Sequence, residues 1–250
     1  MNIKRILFPV LIFLSGCSKP SEKIIVATAA NVQYVMKELK TEFEKETGKK
    51  VEIVVSSSGK LTAQIREGAP FDVFVSADAK YPEEIFNKGG SDEKPKIYAY
   101  GTLALWSLSI PANELNLKVL TTDKVKKIAV PNPKMAPYGE AAEQALQKEN
   151  LLEPLKSKIV YGESIAQAAQ YITTGSVEAG FTALSVILAP EMKGKGYYTI
   201  IDSTSYKPIA QAALLLRHSD NSPKKETSQK FYDFLFSTKA KAIFKKYGYK

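Results

Sequence analysis

The chain carries one cysteine, one histidine and one tryptophan among 250 residues. A single cysteine closes no intramolecular disulfide, and with one histidine it supplies neither of the usual ligand sets for structural zinc. His218 sits in Arg217-His218-Ser219-Asp220, which reads as a loop after a strand. No Gly-x-Ser-x-Gly elbow occurs and no spacing joins His218 to a nucleophile and an orienting carboxylate, which argues against an exported serine hydrolase and against enzyme function altogether. Asp72 and Asp78 are the carboxylates to weigh for acid–base work; they read more simply as facing a sheet edge and capping the following helix. No apolar run reaches the roughly 20 residues that a membrane-crossing helix needs. Internal repeats are absent, as are the low-complexity or long exposed hydrophobic tracts of a structural or adhesive lipoprotein.

What is present is ordinary globular material, 44% hydrophobic and 24% charged, enough for one large domain or two ordinary ones. The formal charge of +9 favours anions or an anionic bilayer as partners. The lysines are scattered over helix faces without interleaved aromatics, so no nucleic-acid partner is expected. At the N-terminus, Lys4 and Arg5 precede the compact apolar segment Ile6 to Leu14 and then Leu14-Ser15-Gly16-Cys17. This resembles the lipobox of bacterial lipoproteins, which implies a signal peptide over residues 1–17, a lipidated Cys17 as membrane anchor, and a short polar tether over 18–22.

The stretch from Lys23 to Gln64 organises the remainder. Ile24-Ile25-Val26-Ala27 reads as a strand leading to Asn31 and the helical spacing Val32, Val35, Met36, Leu39, Phe43. Val51, Ile53 and Val55 alternate as a second strand, and Ser56-Ser57-Ser58-Gly59 opens a second helix through Leu61 and Ile65. Phe71 to Val75, Val125 to Val130, Ile159 to Tyr161 and Glu178 to Leu184 repeat the strand signal, with helices over 81–87, 140–147 and 165–172. Ala210 to Leu216 is a further apolar strand, and terminal helices split near Ser237. The fold class is α/β, with two lobes, each a mostly parallel sheet flanked by helices. A lobe made of 22–100 and 205–250 around a second of 101–204 fits these elements; a simple split at 100 fits the periodicity as well.

Asn31, Ser58, Tyr138 and Ile165 each stand just before or inside the first turn of an expected helix. There, unpaired backbone N–H groups and the positive helix end favour an anion. A carboxylate-free pocket built from such starts suits a tetrahedral oxyanion, because neutral donors hold it without the desolvation cost of a buried cation. Serine and asparagine also cap helices with no ligand, so these residues make a site only if the fold converges them.

Ile25-Val26-Ala27-Thr28-Ala29-Ala30-Asn31, Ser56-Ser57-Ser58-Gly59-Lys60-Leu61, Gly68 to Asp78, Ala129-Val130-Pro131-Asn132-Pro133 and Ile243 to Tyr249 follow one another in an order and spacing that resembles the ModA-like solute-binding family of bacterial molybdate importers. The resemblance runs over nearly the whole chain after Cys17. It implies a two-lobed periplasmic-binding-protein fold with a return crossing near residue 205, and molybdate or tungstate as ligand with no cofactor and no metal cation. It further implies a monomer on the extracytoplasmic face of the membrane, partnered by a permease with its cytoplasmic ATPase.

Family ligand contacts fall on Asn31, Ser58, Tyr138 and Ile165, with Ala30, Ser57, Gly59, Ser164 and Ala183 as further lining. The common family places a tyrosine where this chain has Ala183; a subset places it in the proline-bearing loop, which Tyr138 matches. The same neutral donors suit sulfate or phosphate, so another tetrahedral oxyanion is the alternative cargo.

Overall fold

The computed structural model describes residues 23–220 and 223–250; the expected signal peptide and Cys17 lie outside the described residues. The described strands are β1 (Ile24–Ala29), β2 (Val51–Ser56), β3 (Val73–Val75), β4 (Lys96–Gly101), β5 (Leu103–Ser107), β6 (Ile128–Pro131), β7 (Ile159–Gly162), β8 (Ala179–Ala183), β9 (Tyr197–Ile200) and β10 (Ile209–Leu215). The helices are α1 (Gln33–Thr47), α2 (Ser58–Arg66), α3 (Lys80–Asn87), α4 (Pro137–Lys148), α5 (Leu152–Leu155), α6 (Ile165–Thr173), α7 (Leu184–Ile187), α8 (Lys225–Phe234) and α9 (Thr238–Lys246).

They form two five-stranded sheets, ordered β2-β1-β3-β10-β4 and β7-β6-β8-β5-β9. Each has a parallel core, β2-β1-β3 or β7-β6-β8, extended by antiparallel strands, so both sheets are mixed. The chain leaves the first sheet after Gly101, enters the second at Leu103, and returns to the first with β10. This is a two-lobed α/β fold of the periplasmic-binding-protein kind, with helices flanking each sheet.

Local sequence explains the parts that carry the site. β1 is central and buried at every residue but Ile25, as a strand covered on both faces must be. α1 buries Val35, Met36, Leu39 and Phe43 and ends at Gly48, whose φ of 66° supplies the left-handed stop. α4 begins at Pro137, earlier than the alanine-rich run alone suggests, because a proline at the first helical position loses no needed N–H. Gly139 in its first turn has no room for a side chain: a Cβ there would run into the carbonyl oxygen of Pro131, at the end of β6.

Between β4 and β10 the register slips, with Gln211 facing Ala99 and Ala212 facing Ile97, so Tyr98 is an extra residue on β4. A bulge of this kind re-aims side chains, and consecutive residues Tyr98 and Ala99 are both buried.

The two aspartates part company. Asp78, one residue before the N-cap Ala79, accepts through Oδ1 from Tyr81 N–H at 3.2 Å in the first turn of α3 and from Ser76 Oγ at 3.1 Å, so it does the work of a cap. Asp72 caps no helix; its Oδ2 accepts from Ile25 N–H at 2.7 Å while its own N–H donates to Ile25 O at 2.8 Å, extending the β1–β3 ladder through a side chain. Burial raises Asp72's pKa, against the backbone hydrogen bond from Ile25 and the charge of Lys224.

Gly139→Ala should destabilise the fold by roughly 1–3 kcal/mol, the usual cost of overpacking against backbone, read from urea denaturation of the unliganded protein. Burial pushes Asp78 up to about 6 from 3.8, with the backbone hydrogen bond from Tyr81 opposing. The folded state therefore holds this proton more tightly than the unfolded one. Its contribution to stability falls as pH rises from 3.8 to about 6 and stays low above that. Asp78→Asn keeps the cap's acceptor oxygen and should stabilise the protein at pH 7 by about 1–2 kcal/mol, with no gain at pH 4. Thermal melts of both proteins across that range check the sign.

Candidate functional site

The carboxyl ends of β1, β2 and β3 in one lobe face those of β6 and β7 in the other, the usual place for a ligand in open α/β sheets. A small cavity opens there, lined by Ala29, Ala30, Asn31, Ser57, Ser58, Ala77, Ala136, Pro137, Tyr138 and Ile165. Asn31, Ser58, Tyr138 and Ile165 are all brought to it, from four separate turns, and Ala30 and Ser57 join them. No charged side chain is in the lining. The four are nearly inaccessible, between 1% and 3% exposed, so charges meeting there would be weakly screened by water.

Three expected lining residues lie outside that wall. Gly59 is turned to the opposite lobe, its N–H donating to Met135 O at 3.0 Å. Ser164 caps α6 by accepting from Gln167 N–H at 3.3 Å. Ala183 is buried at the end of β8, paired with Leu103.

The hydroxyls are pre-set as donors. Ser58 Oγ accepts from Ala77 N–H at 3.0 Å, and Tyr138 Oη accepts from Gln211 Nε2 at 2.9 Å. A hydroxyl carries one proton and two lone pairs, so each of these groups already accepts one bond from the protein and still has its proton to give. Ser58, Tyr138 and Ile165 also stand in the first turns of α2, α4 and α6, where backbone N–H groups have no acceptor in their own helix. Three helix starts therefore aim partial positive charge at the same small volume.

Asn31 behaves differently from a helix cap. Its Nδ2 donates to Gln211 Oε1 at 2.8 Å and to Tyr249 Oη at 3.1 Å, while its buried Oδ1 has no hydrogen-bond partner. Its backbone carbonyl accepts from Ser185 Oγ at 2.8 Å and from Tyr249 Oη at 3.1 Å. Burial drives the phenols of Tyr138, Tyr98 and Tyr249 well above their ordinary pKa, so all three are neutral donors.

Sequence reading missed Gln211, Tyr98, Tyr249 and Ser185, which hold these groups from behind. Gln211 had a signal available, as the one strongly polar residue in Ile209-Ala-Gln-Ala-Ala-Leu-Leu.

The lobes touch beyond the cavity as well. Tyr81 Oη donates to Lys134 O at 3.1 Å, and Lys60 pairs with Glu163 at 2.7 Å, beside the Gly59–Met135 bond. These contacts join α2 and α3 to the proline-bearing loop and the start of α6, so the arrangement is a closed one. Among the described residues no group of His, Cys, Asp and Glu is placed to hold a metal ion. His218 lies in a 3-10 turn and is not part of the cavity wall.

A family model for bacterial extracellular solute-binding proteins matches residues 24–250. The molybdate-binding protein ModA of Azotobacter vinelandii is 38% identical over 237 residues, covering 94% of this chain and 93% of its own. ModA of Rhodobacter capsulatus is 36% identical over 245 residues, covering 96% and 93%. Among solved structures, the Azotobacter vinelandii periplasmic molybdate-binding protein superimposes with a TM-score of 0.84 at 35% identity, over 91% of this chain and 98% of that one. The chain thus belongs to the bacterial extracellular solute-binding protein family, and within it is closely related to the ModA molybdate-binding proteins.

Proposed function

We propose that this protein captures molybdate, and tungstate with it, on the extracytoplasmic side of a membrane and delivers it to an ABC importer. The observation that carries the reading is the charge-free cavity in which Ser58 and Tyr138, one from each lobe, accept from Ala77 N–H and Gln211 Nε2 and keep a proton to give. A fully ionised tetrahedral anion has only acceptors to offer and needs converging protons, which these hydroxyls and the backbone N–H groups of Ser58, Tyr138 and Ile165 supply. No carboxylate lines the cavity to accept a proton from a hydrogen phosphate. Relatives that bear the name molybdate-binding protein, matched over more than nine-tenths of this chain, support the choice of anion.

Tyr138 takes the place of the phenol that the common family sets where this chain has Ala183. Molybdate and tungstate nearly match in charge and size while sulfate is smaller, so selection is by fit. The cycle is capture and handover without bond chemistry: an open form admits the anion, and the closed form docks on a permease driven by a cytoplasmic ATPase. Anion binding favours closure only through contacts that are better in the closed form. The protein acts as a monomer held to the membrane by a lipid on Cys17.

Isothermal titration of the soluble chain beginning after Cys17 should give strong binding of molybdate and tungstate and none of sulfate or phosphate. Binding of sulfate or phosphate alone would overturn the cargo and leave the fold intact. Tyr138→Phe should weaken molybdate binding by roughly 1–3 kcal/mol, the worth of a hydrogen bond to a charged group. It also strands Gln211 Nε2, so the unliganded protein should lose about 1 kcal/mol in urea denaturation. Ser58→Ala keeps the backbone donors and should cost less, about 1 kcal/mol of binding. An unchanged dissociation constant for Tyr138→Phe would remove that phenol from the site.

A further inference from the structure

Gln211 lies in the middle of β10, with no measurable exposure. An amide buried so deeply is costly unless every polar atom is engaged, and this one is engaged at both ends. Its Oε1 accepts from Asn31 Nδ2 at 2.8 Å and from Tyr98 Oη at 2.7 Å, and its Nε2 donates to Tyr138 Oη at 2.9 Å. The bulge that makes Tyr98 an extra residue on β4 is what brings that phenol to the amide. The bond to Tyr138 crosses from a strand of the first lobe to the first turn of α4 in the second. Gly101, at the crossover, leaves the space: a Cβ there would strike both Tyr138 Oη and Gln211 Nε2.

Resting on the anion-binding reading above, we propose that Gln211 is the positioning residue that makes Tyr138, and not Asn31, the side-chain donor to the bound anion.

A primary amide has a donor end and an acceptor end, and its direction dictates the protons of its neighbours. With Nε2 toward Tyr138, the phenol oxygen accepts from the amide and its proton is free for the anion. With Oε1 toward Asn31, the Asn31 Nδ2 group is directed into the protein, to Gln211 Oε1 and Tyr249 Oη and beside Tyr138, and its unpartnered Oδ1 is left on the other side. Turning the amide over would draw the Tyr138 proton onto Oε1. It would also set two NH2 groups against each other at the Asn31 contact unless Asn31 turned too, which would release the Asn31 amide protons. The two pocket side chains therefore cannot both donate from one amide direction, and Gln211 decides between them. Because its bond to Tyr138 spans the lobes, the phenol is set as donor only when the lobes are together.

The test is a double-mutant cycle on the soluble chain, read by titration with molybdate, with circular dichroism and thermal melts confirming that each variant is folded. Gln211→Met fills similar space with no polar end and should weaken binding about 10- to 100-fold in the Tyr138 background. Combined with Tyr138→Phe it should add less than about twofold to the loss from Tyr138→Phe alone, because the residue it positions is gone. A purely structural Gln211 would cost the same factor in both backgrounds, and that result overturns the inference, as does a single Gln211→Met variant binding like wild type.

If Gln211→Met does not fold, Gln211→Leu replaces it. Leucine, like methionine, offers the phenol no polar end, so the same cycle is run with it and wild-type affinity in the single variant is equally fatal. If wild type prefers another of the four anions, the cargo reading falls and the same cycle is run with the anion that binds. If wild type binds none of them, both readings fall.

Discussion

Ser58 and Tyr138 each take a hydrogen bond from the protein before they can offer one, and the remainder of the site is arranged around that constraint. A hydroxyl in water turns freely between giving and accepting; one that already accepts from Ala77 N–H or Gln211 Nε2 is turned toward giving its proton. Supplying those fixed partners requires the turn after β3 to reach Ser58 and the returning strand β10 to reach across to the other lobe. The chain's passage from one sheet to the other and back is thus more than a connection, since a strand of the first lobe governs a phenol of the second.

Charge is kept at a distance from this cavity. The chain has a formal charge of +9, yet its lysines are spent on the surface in exposed pairs such as Lys60–Glu163 and Lys124–Glu114. Pairs of that kind add little stability and are weakened by salt. Inside, neutral phenols and amide protons do the holding. Burial enforces the neutrality, since a phenolate at Tyr138, Tyr98 or Tyr249 would have to lose its water. The result is a cavity that offers protons and no charge of its own.

Much of this could be read from residue order. β1, β2 and the helices that follow them announced themselves by a change from alternating to helical spacing, and the four turns at Asn31, Ser58, Tyr138 and Ile165 do meet at one cavity. The buried frame behind them was illegible. Gln211 and Tyr98 meet only because β4 carries a bulge, a register fact that no window of sequence contains. Tyr249 reaches Asn31 across 218 positions. Gly59 sat beside Ser58 in the expected lining, but one residue along a helix turns a group by about 100°, and its N–H faces Met135 in the other lobe instead. Asp72, taken with Asp78 for a helix cap, stands in for a strand carbonyl because its backbone already lies alongside Ile25.

The phenol of Tyr249 ties Asn31 and Ser185 together from the far end of the chain. Synthesis runs from one end to the other, so Asn31 emerges long before the ring that steadies it. The wall contributed by the early residues is thus braced by the last ones. The contacts that fix Asn31 in the folded protein are therefore completed only when residues more than two hundred positions later have packed against it.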